Sequence, residues 1–142
     1  MLALIICIVL LVVFISSPAV NIHSRTGFWC CSPFSIQTYY FNAIDHGFDH
    51  DSLSIFSLRL VDQIRFITYV QRQESWNLLP LAESVFYDSI SDSDFDYNMK
   101  RALDCTNGFY YYDKSHSLYV YDSNTGTLYI RDASSTTSYK YQ

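Results

Sequence analysis

The sequence predicts a mainly β domain, built as a small antiparallel sheet or a β-sandwich with one short helix, and an α+β fold is the alternative. Several short segments are rich in aromatic and β-branched residues, which favour strands. Residues typical of turns separate them, and aromatic residues make up 18% of the 142 residues. One later segment, 95–105, has helical periodicity instead.

The chain begins with an unbroken run of 14 apolar residues, Leu2–Ile15, followed by Ser16, Ser17, Pro18 and Ala19. A short apolar run before small residues is typical of a secretory signal, here cut after Ala19. A spanning helix needs about 20 apolar residues. Only the terminal amine supplies positive charge before the run, so an uncleaved signal anchor remains the alternative. We therefore expect a protein of the endoplasmic reticulum lumen or the secreted space, or else a type II membrane-anchored one.

The predicted organisation is a signal at 1–19, a single domain at 20–132 and a loose tail at 133–142. The net charge of −5, with 14 acidic and 9 basic residues, argues against nucleic acid as a partner, because phosphate contacts need clustered cations. The same charge argues against docking on anionic membranes. Membrane contact is expected only through residues 2–20, and only if they are retained.

Three cysteines follow the predicted signal: Cys30, Cys31 and Cys105. An oxidising compartment favours disulfides, and adjacent cysteines seldom pair because their geometry is strained. We therefore expect Cys30 or Cys31 to pair with Cys105. The remaining thiol could link two chains as a disulfide-bonded homodimer, or it could simply be buried.

The first half of the domain is predicted to consist of strands. Ser35–Phe41 and Leu53–Val61 are predicted strands, separated by a polar loop at Asn42–Asp51. Ile64–Val70 alternates between two faces and is predicted to be a third strand. Asp62 and Gln63 are then the tight turn of a hairpin.

The middle of the chain carries the helical signal. Pro80–Tyr87 fits either a short helix or a strand. Phe95–Cys105 is predicted to be a helix, because Phe95, Met99 and Leu103 fall on one stripe. Asn107 and Gly108 end it.

The last third has the clearest pattern, with predicted strands at Phe109–Tyr112, Leu118–Tyr121 and Leu128–Arg131. Gly126, at positive φ, is expected to close the loop Asp122–Gly126. The expected pairs are Tyr111 with Tyr119, Tyr119 with Tyr129, and Tyr121 with Thr127. One face of this meander would then carry five rings, which suit a protein interface: Phe109, Tyr111, Tyr119, Tyr121 and Tyr129. The alternative is that a second layer covers this face and makes the rings core.

Support for catalysis is weak, and the chain is not predicted to be an enzyme or to hold a cofactor. The densest group of ligand-type side chains, within 45–51, contains His46, Asp49 and His50. These three are weak metal candidates because the context reads as a loop with Gly47 between the histidines. A small metal-dependent enzyme using them is the alternative function.

In outline the chain resembles the small secreted accessory proteins of coronaviruses. The shared features are the signal at Met1–Ala19, a short β-rich ectodomain, the cysteines Cys30, Cys31 and Cys105, and a composition biased towards U-rich codons. Several members of that class have immunoglobulin-like sandwiches, so the resemblance implies such a sandwich and a protein that binds a host protein or dampens innate immunity. The chain differs from that class in lacking a two-disulfide framework and in its predicted helix at Phe95–Cys105. The resemblance transfers no functional residue to this chain.

Overall fold

The structure is a computed structural model that describes residues 2–31, 36–45, 50–90 and 97–134, with the side chains of 4–31, 52–86 and 97–132. The strands are β1 (Ile36–Asp45), β2 (His50–Leu58), β3 (Asn77–Leu78), β4 (Gly108–Tyr112), β5 (Leu118–Asp122) and β6 (Thr127–Ser134). The helices are α1 (Leu2–Ile15), α2 (Pro18–Thr26), α3 (Leu60–Val70), α4 (Glu83–Ile90) and α5 (Tyr97–Leu103). The strands form one antiparallel sheet in the order β1-β2-β6-β5-β4-β3.

Helices cover both faces of this sheet, so the fold is α+β. The first core lies between the sheet and α2 and α3, and it contains Ile22, Phe56, Phe66, Tyr121 and Leu128, all 0% exposed. The second core lies between the opposite face and α5, with Met99, Ala102, Leu118, Val120 and Tyr129. Within the described ranges the sheet is single and helices occupy the place of a second sheet. The expected β-sandwich is therefore not confirmed.

The predicted strand at Ile64–Val70 and its hairpin turn at Asp62–Gln63 are wrong, because Leu60–Val70 is helix α3. Asp62, Phe66 and Val70 are spaced four residues apart, and they form the buried stripe of this helix. Over so short a segment, the spacing of Ile64, Phe66, Thr68 and Val70 does not distinguish the two-residue period of a strand from the period of about 3.6 residues of a helix. Burial of Phe66 against the sheet decides in favour of the helix.

Other boundaries shift less. The first strand extends to Asp45, into the predicted polar loop, and β2 begins at His50 and ends at Leu58. The ambiguous segment near Pro80 contains helix α4, Glu83–Ile90. The predicted helix at Phe95–Cys105 is confirmed as α5 over Tyr97–Leu103, while residues 95 and 96 lie outside the described ranges. Strand β6 runs to Ser134, two residues into the predicted tail.

The last three strands form two pairs, and one of the two pairs has the predicted register. Between β4 and β5, Tyr111 pairs with Tyr119, as expected, and Tyr112 pairs with Leu118. Between β5 and β6, Asp122 pairs with Thr127 and Val120 with Tyr129, one residue away from the prediction. The turn is therefore the four residues 123–126, closed by Gly126 at φ 68°. Because side chains alternate along a strand, the slip turns Tyr129 to the opposite face from Tyr119.

The amino-terminal region consists of two helices that differ in their surroundings. In α2, Ala19 and Ile22 are buried in the first core. In α1, every residue from Leu4 to Ile15 is exposed. Among the described residues no single helix is long and apolar enough to cross a bilayer. Leu4–Ile15 and Pro18–Thr26 together, bent by 52°, have the length and composition for it.

Candidate functional site

The five aromatic side chains expected to form a binding face do not share one surface. Tyr119 and Tyr121 are 7% and 0% exposed in the first core, where Tyr121 packs 4.8 Å from Phe66 between ring centroids. Tyr129 is 3% exposed and belongs to the second core, so its predicted place beside Tyr119 is wrong. Phe109 and Tyr111 are half-buried at the margin of the first core. Most of the predicted face is thus an internal layer under α2 and α3.

The hydroxyl groups of the three buried tyrosines have raised pKa values, as expected for side chains in a protein core. Burial first, and then the nearby Asp132, raises the pKa of Tyr119 to about 12. Burial and Asp122 raise the pKa of Tyr121 to about 12 in the same way. Burial also raises the pKa of Tyr129. A phenol with a raised pKa stays protonated and neutral at physiological pH, because desolvation disfavours the charged form.

The structure contains no disulfide among the cysteines that it describes, so the expected pairing of Cys30 or Cys31 with Cys105 stays a prediction. Cys30 is buried in the first core and Cys105 packs against the second, so the sheet lies between them. A disulfide needs Cα atoms within about 7 Å, and a sheet between the two thiols opposes a bond of Cys30 with Cys105. Burial, with Asp122, raises the pKa of Cys105 to about 11.

The weak metal candidates fall almost entirely outside the described residues. His46 and Asp49 are not described, and His50 is described only as the first residue of β2. Over the rest of the described chain, no group of three His, Cys, Asp or Glu side chains is arranged to hold a metal ion. The metal prediction therefore remains a prediction.

A different surface is a candidate binding site. An open groove with a volume of about 380 Å³ runs between α3 and the segment that follows α2. We call it the α3 groove, and its lining residues are Gly27, Phe28, Trp29, Ile64, Arg65, Thr68, Tyr69 and Arg72. The lining combines aromatic rings, an exposed aliphatic side chain and two arginines in a protein whose net charge is −5. It is therefore a locally cationic, aromatic surface on an acidic molecule.

The end of α2 shapes one wall of the α3 groove. Gly27 adopts φ 77° and its amide donates to the carbonyl oxygen of His23 at 2.8 Å, which ends the helix. The Tyr69 hydroxyl donates to the carbonyl oxygen of Thr26 at 2.7 Å. A Cβ atom at position 27 would lie 2.7 Å from that hydroxyl. Positive φ and this close approach together favour glycine here, and the wall is fixed to α3.

A buried carboxylate supports the floor of the groove. Asp62 lies in the first turn of α3, where the helix dipole favours negative charge, and it is 0% exposed. Its Oδ1 accepts the amide of Cys31 at 2.8 Å and Nη1 of Arg65 at 3.0 Å. The Arg65 guanidinium lies 5.5 Å from the centroid of the Phe28 ring and also donates to Sγ of Cys31 at 2.6 Å. Arg65 is thereby held in place while its side chain is 46% exposed.

The rim of the groove is apolar and solvent-exposed. Trp29 is 48% exposed and stacks on His23 with ring centroids 3.7 Å apart. Along α3, Leu60, Val61 and Ile64 are 71%, 53% and 60% exposed. A helix whose inward stripe already supplies the core does not need these apolar side chains for folding. The exposed stripe and Trp29 are therefore the best candidates for contact with another molecule.

Sequence reasoning missed this site. It placed Ile64 and Arg65 on a strand and assigned no helix or strand to residues 20–34. Part of the site could have been found from the sequence, because 60–70 contains two apolar stripes at helical spacing and one stripe is enough to pack against a core.

Comparisons with known protein families, with curated proteins and with solved structures found no match to this chain.

Proposed function

We propose that the chain is an exported binding module, not a catalyst, that captures a host protein through the α3 groove. The observation that carries the proposal is the exposed apolar stripe of Leu60, Val61 and Ile64 beside Trp29. Tryptophan and arginine are the residues most enriched at the energetic centres of protein interfaces. Both occur here on a rigid support.

The rigidity of the support favours binding. Phe28, under the guanidinium of Arg65, packs edge-on against Phe66 with ring centroids 5.1 Å apart, and Phe66 is 0% exposed. Arg65 is already hydrogen-bonded to a buried carboxylate. A side chain that is ordered before binding loses less conformational entropy on binding. The groove is thus suited to a partner without needing to rearrange.

The composition of the groove points to the chemistry of the partner. Arg65 and Arg72 favour carboxylates, and the stripe of α3 favours apolar side chains. We therefore propose a partner segment that presents an apolar side chain flanked by acidic residues. The outline resemblance to secreted coronavirus accessory proteins supports a host protein, and a role in dampening innate immunity, as the biological setting.

Site-specific photocrosslinking tests this proposal. The full chain, with a carboxy-terminal tag, is expressed in vertebrate cells with p-benzoylphenylalanine in place of Ile64. The matched control carries the same group in place of Leu78, which is 73% exposed on β3 and lies outside the groove. We expect a discrete protein adduct from position 64 and none from position 78. Adding Trp29→Ser should reduce the adduct at least tenfold.

Two outcomes would contradict the proposal. Equal adducts from both positions would mean that exposure alone governs crosslinking. No protein adduct from position 64, with a folded chain verified by proteolysis, would mean that the groove has no protein partner in these cells. Mass spectrometry of the adduct identifies the partner and the residue to which it is joined.

A further inference from the structure

Helix α1 has no buried side, in contrast to α2, α3 and α5. Its 14 residues include no charged side chain. From Leu4 to Ile15 the large apolar side chains are between 47% and 65% exposed. A helix that is apolar all round belongs either in a protein core or in a membrane. The described structure leaves α1 outside both cores, so the domain does not supply its surroundings.

The junction between α1 and α2 is held by backbone hydrogen bonds and a helix cap. Backbone hydrogen bonds continue past α1. The Ser16 amide donates to the carbonyl oxygen of Val12, and the Ser17 amide to that of Phe14, both at 3.0 Å. The side chain of Ser17 then caps α2 by accepting the amide of Val20 at 3.4 Å. Pro18 occupies the first turn of α2, where its missing amide costs nothing.

The residue before the predicted cleavage point belongs to the core. Ala19 is 3% exposed and lies in the same cluster as Ile22 and Phe56. Cleavage after Ala19 would remove the Ser17 cap and Ala19 itself, and it would place a charged amine at Val20 beside an apolar core. The folded domain therefore uses residues on both sides of the predicted cut.

We propose that α1 is retained after export and inserts into a lipid bilayer, where it anchors the α+β domain at the membrane surface. At 1.5 Å per residue the helix is about 21 Å long, against a hydrocarbon core of about 30 Å. Local thinning of the bilayer accommodates an apolar helix of this length. Only Ser16 and Ser17 separate α1 from α2, so the domain is held close to the headgroups.

The test uses the full chain with a carboxy-terminal tag in vertebrate cells. Alkaline carbonate extraction separates embedded from luminal and peripheral proteins, and intact-mass analysis reports whether residues 1–19 are present. We expect most of the protein in the carbonate-resistant pellet at the unprocessed mass. Protein in the medium that starts at Val20 would overturn the proposal. Unprocessed protein released by carbonate would also overturn it, since α1 would then be covered by protein, such as a second copy, and not by lipid.

An insertion variant provides the matched control. Six residues that form an exposed cleavage site for signal peptidase are inserted between Ser16 and Ser17, which leaves the Ser17 cap and Ala19 with the domain. We expect this variant to be cut and secreted in a protease-resistant form, because it loses only α1. If it is cut yet stays in the carbonate-resistant pellet, a segment other than α1 holds the membrane and the proposal is wrong.

Discussion

The hydroxyl of Tyr121 offers the sharpest test of the first core. The side chain is 0% exposed, and its Oη has no hydrogen-bond partner among the residues that the structure describes. A buried polar group without a partner costs about 1–3 kcal/mol of desolvation. Tyr121→Phe removes that cost and opens a small gap near Phe66, which offsets part of the gain. We expect a net stabilisation of about 1 kcal/mol at pH 7, or about 3–4 °C in Tm for a chain of this size.

Alkaline pH should enlarge this difference. The pKa of Tyr121 is raised to about 12 in the folded state from 10.0. Because the unfolded chain releases the proton first, the stability of the original protein is unchanged below pH 10 and falls as pH rises from 10 to 12. At pH 11 this group alone costs about 1.4 kcal/mol. Tyr121→Phe does not suffer this loss, so its advantage should roughly double.

Thermal unfolding of the full chain in a non-ionic detergent, followed by tryptophan fluorescence at pH 7 and pH 11, measures both effects. Tyr97→Phe is the matched control, because Tyr97 is 72% exposed and should leave Tm unchanged. A Tyr121→Phe protein that is less stable than the original at pH 7, and that loses as much stability at pH 11, would refute the reasoning. That result would mean that the hydroxyl is solvated or hydrogen-bonded.

Three further predictions concern the groove and the second core. Gly27→Ala should lower stability by about 1–2 kcal/mol in thermal melts, because it strains a positive φ and meets the Tyr69 hydroxyl. Asp62→Ala should cost at least about 2 kcal/mol by chemical denaturation, since it removes the acceptor of the Cys31 amide. Asp62→Asn, which retains an acceptor, should cost less. Iodoacetamide at pH 8, followed by mass spectrometry, should modify Cys105 about 100-fold more slowly than a thiol of pKa 9.0, because a pKa of about 11 leaves little thiolate. Equal rates would contradict this burial.

Local signals in the sequence were sufficient where the structure is local. The pairing of Tyr111 with Tyr119 and the helix at Tyr97–Leu103 are confirmed, because strand alternation and helical stripes are set by neighbouring residues. The role of Gly126 is also confirmed, since its φ is 68°. In addition, a Cβ atom there would overlap with the side chain of Gln63. That second reason depends on α3 and could not be read from the turn itself.

The sequence was insufficient where tertiary packing decides. The turn after β5 has four residues where five were expected, and this difference of one residue places Tyr129 on the other face. Local sequence does not distinguish the two loop lengths. The α3 segment has both periods, and only burial of Phe66 against the sheet selects the helix. These two misjudgements together hid the candidate site. The first added Tyr129 to the expected aromatic face, and the second placed the α3 residues of the groove on a strand.

The placement of Tyr129 in the second core, and with it the proposal that binding uses the α3 groove and not the five rings, depends on the register of β5 against β6. Nuclear Overhauser effects between backbone protons of the isotopically labelled chain in detergent measure that register directly. The structure predicts cross-strand contacts of Val120 with Tyr129 and of Tyr121 with Leu128. Contacts of Tyr119 with Tyr129 instead would contradict it, since all five rings would then lie on one face.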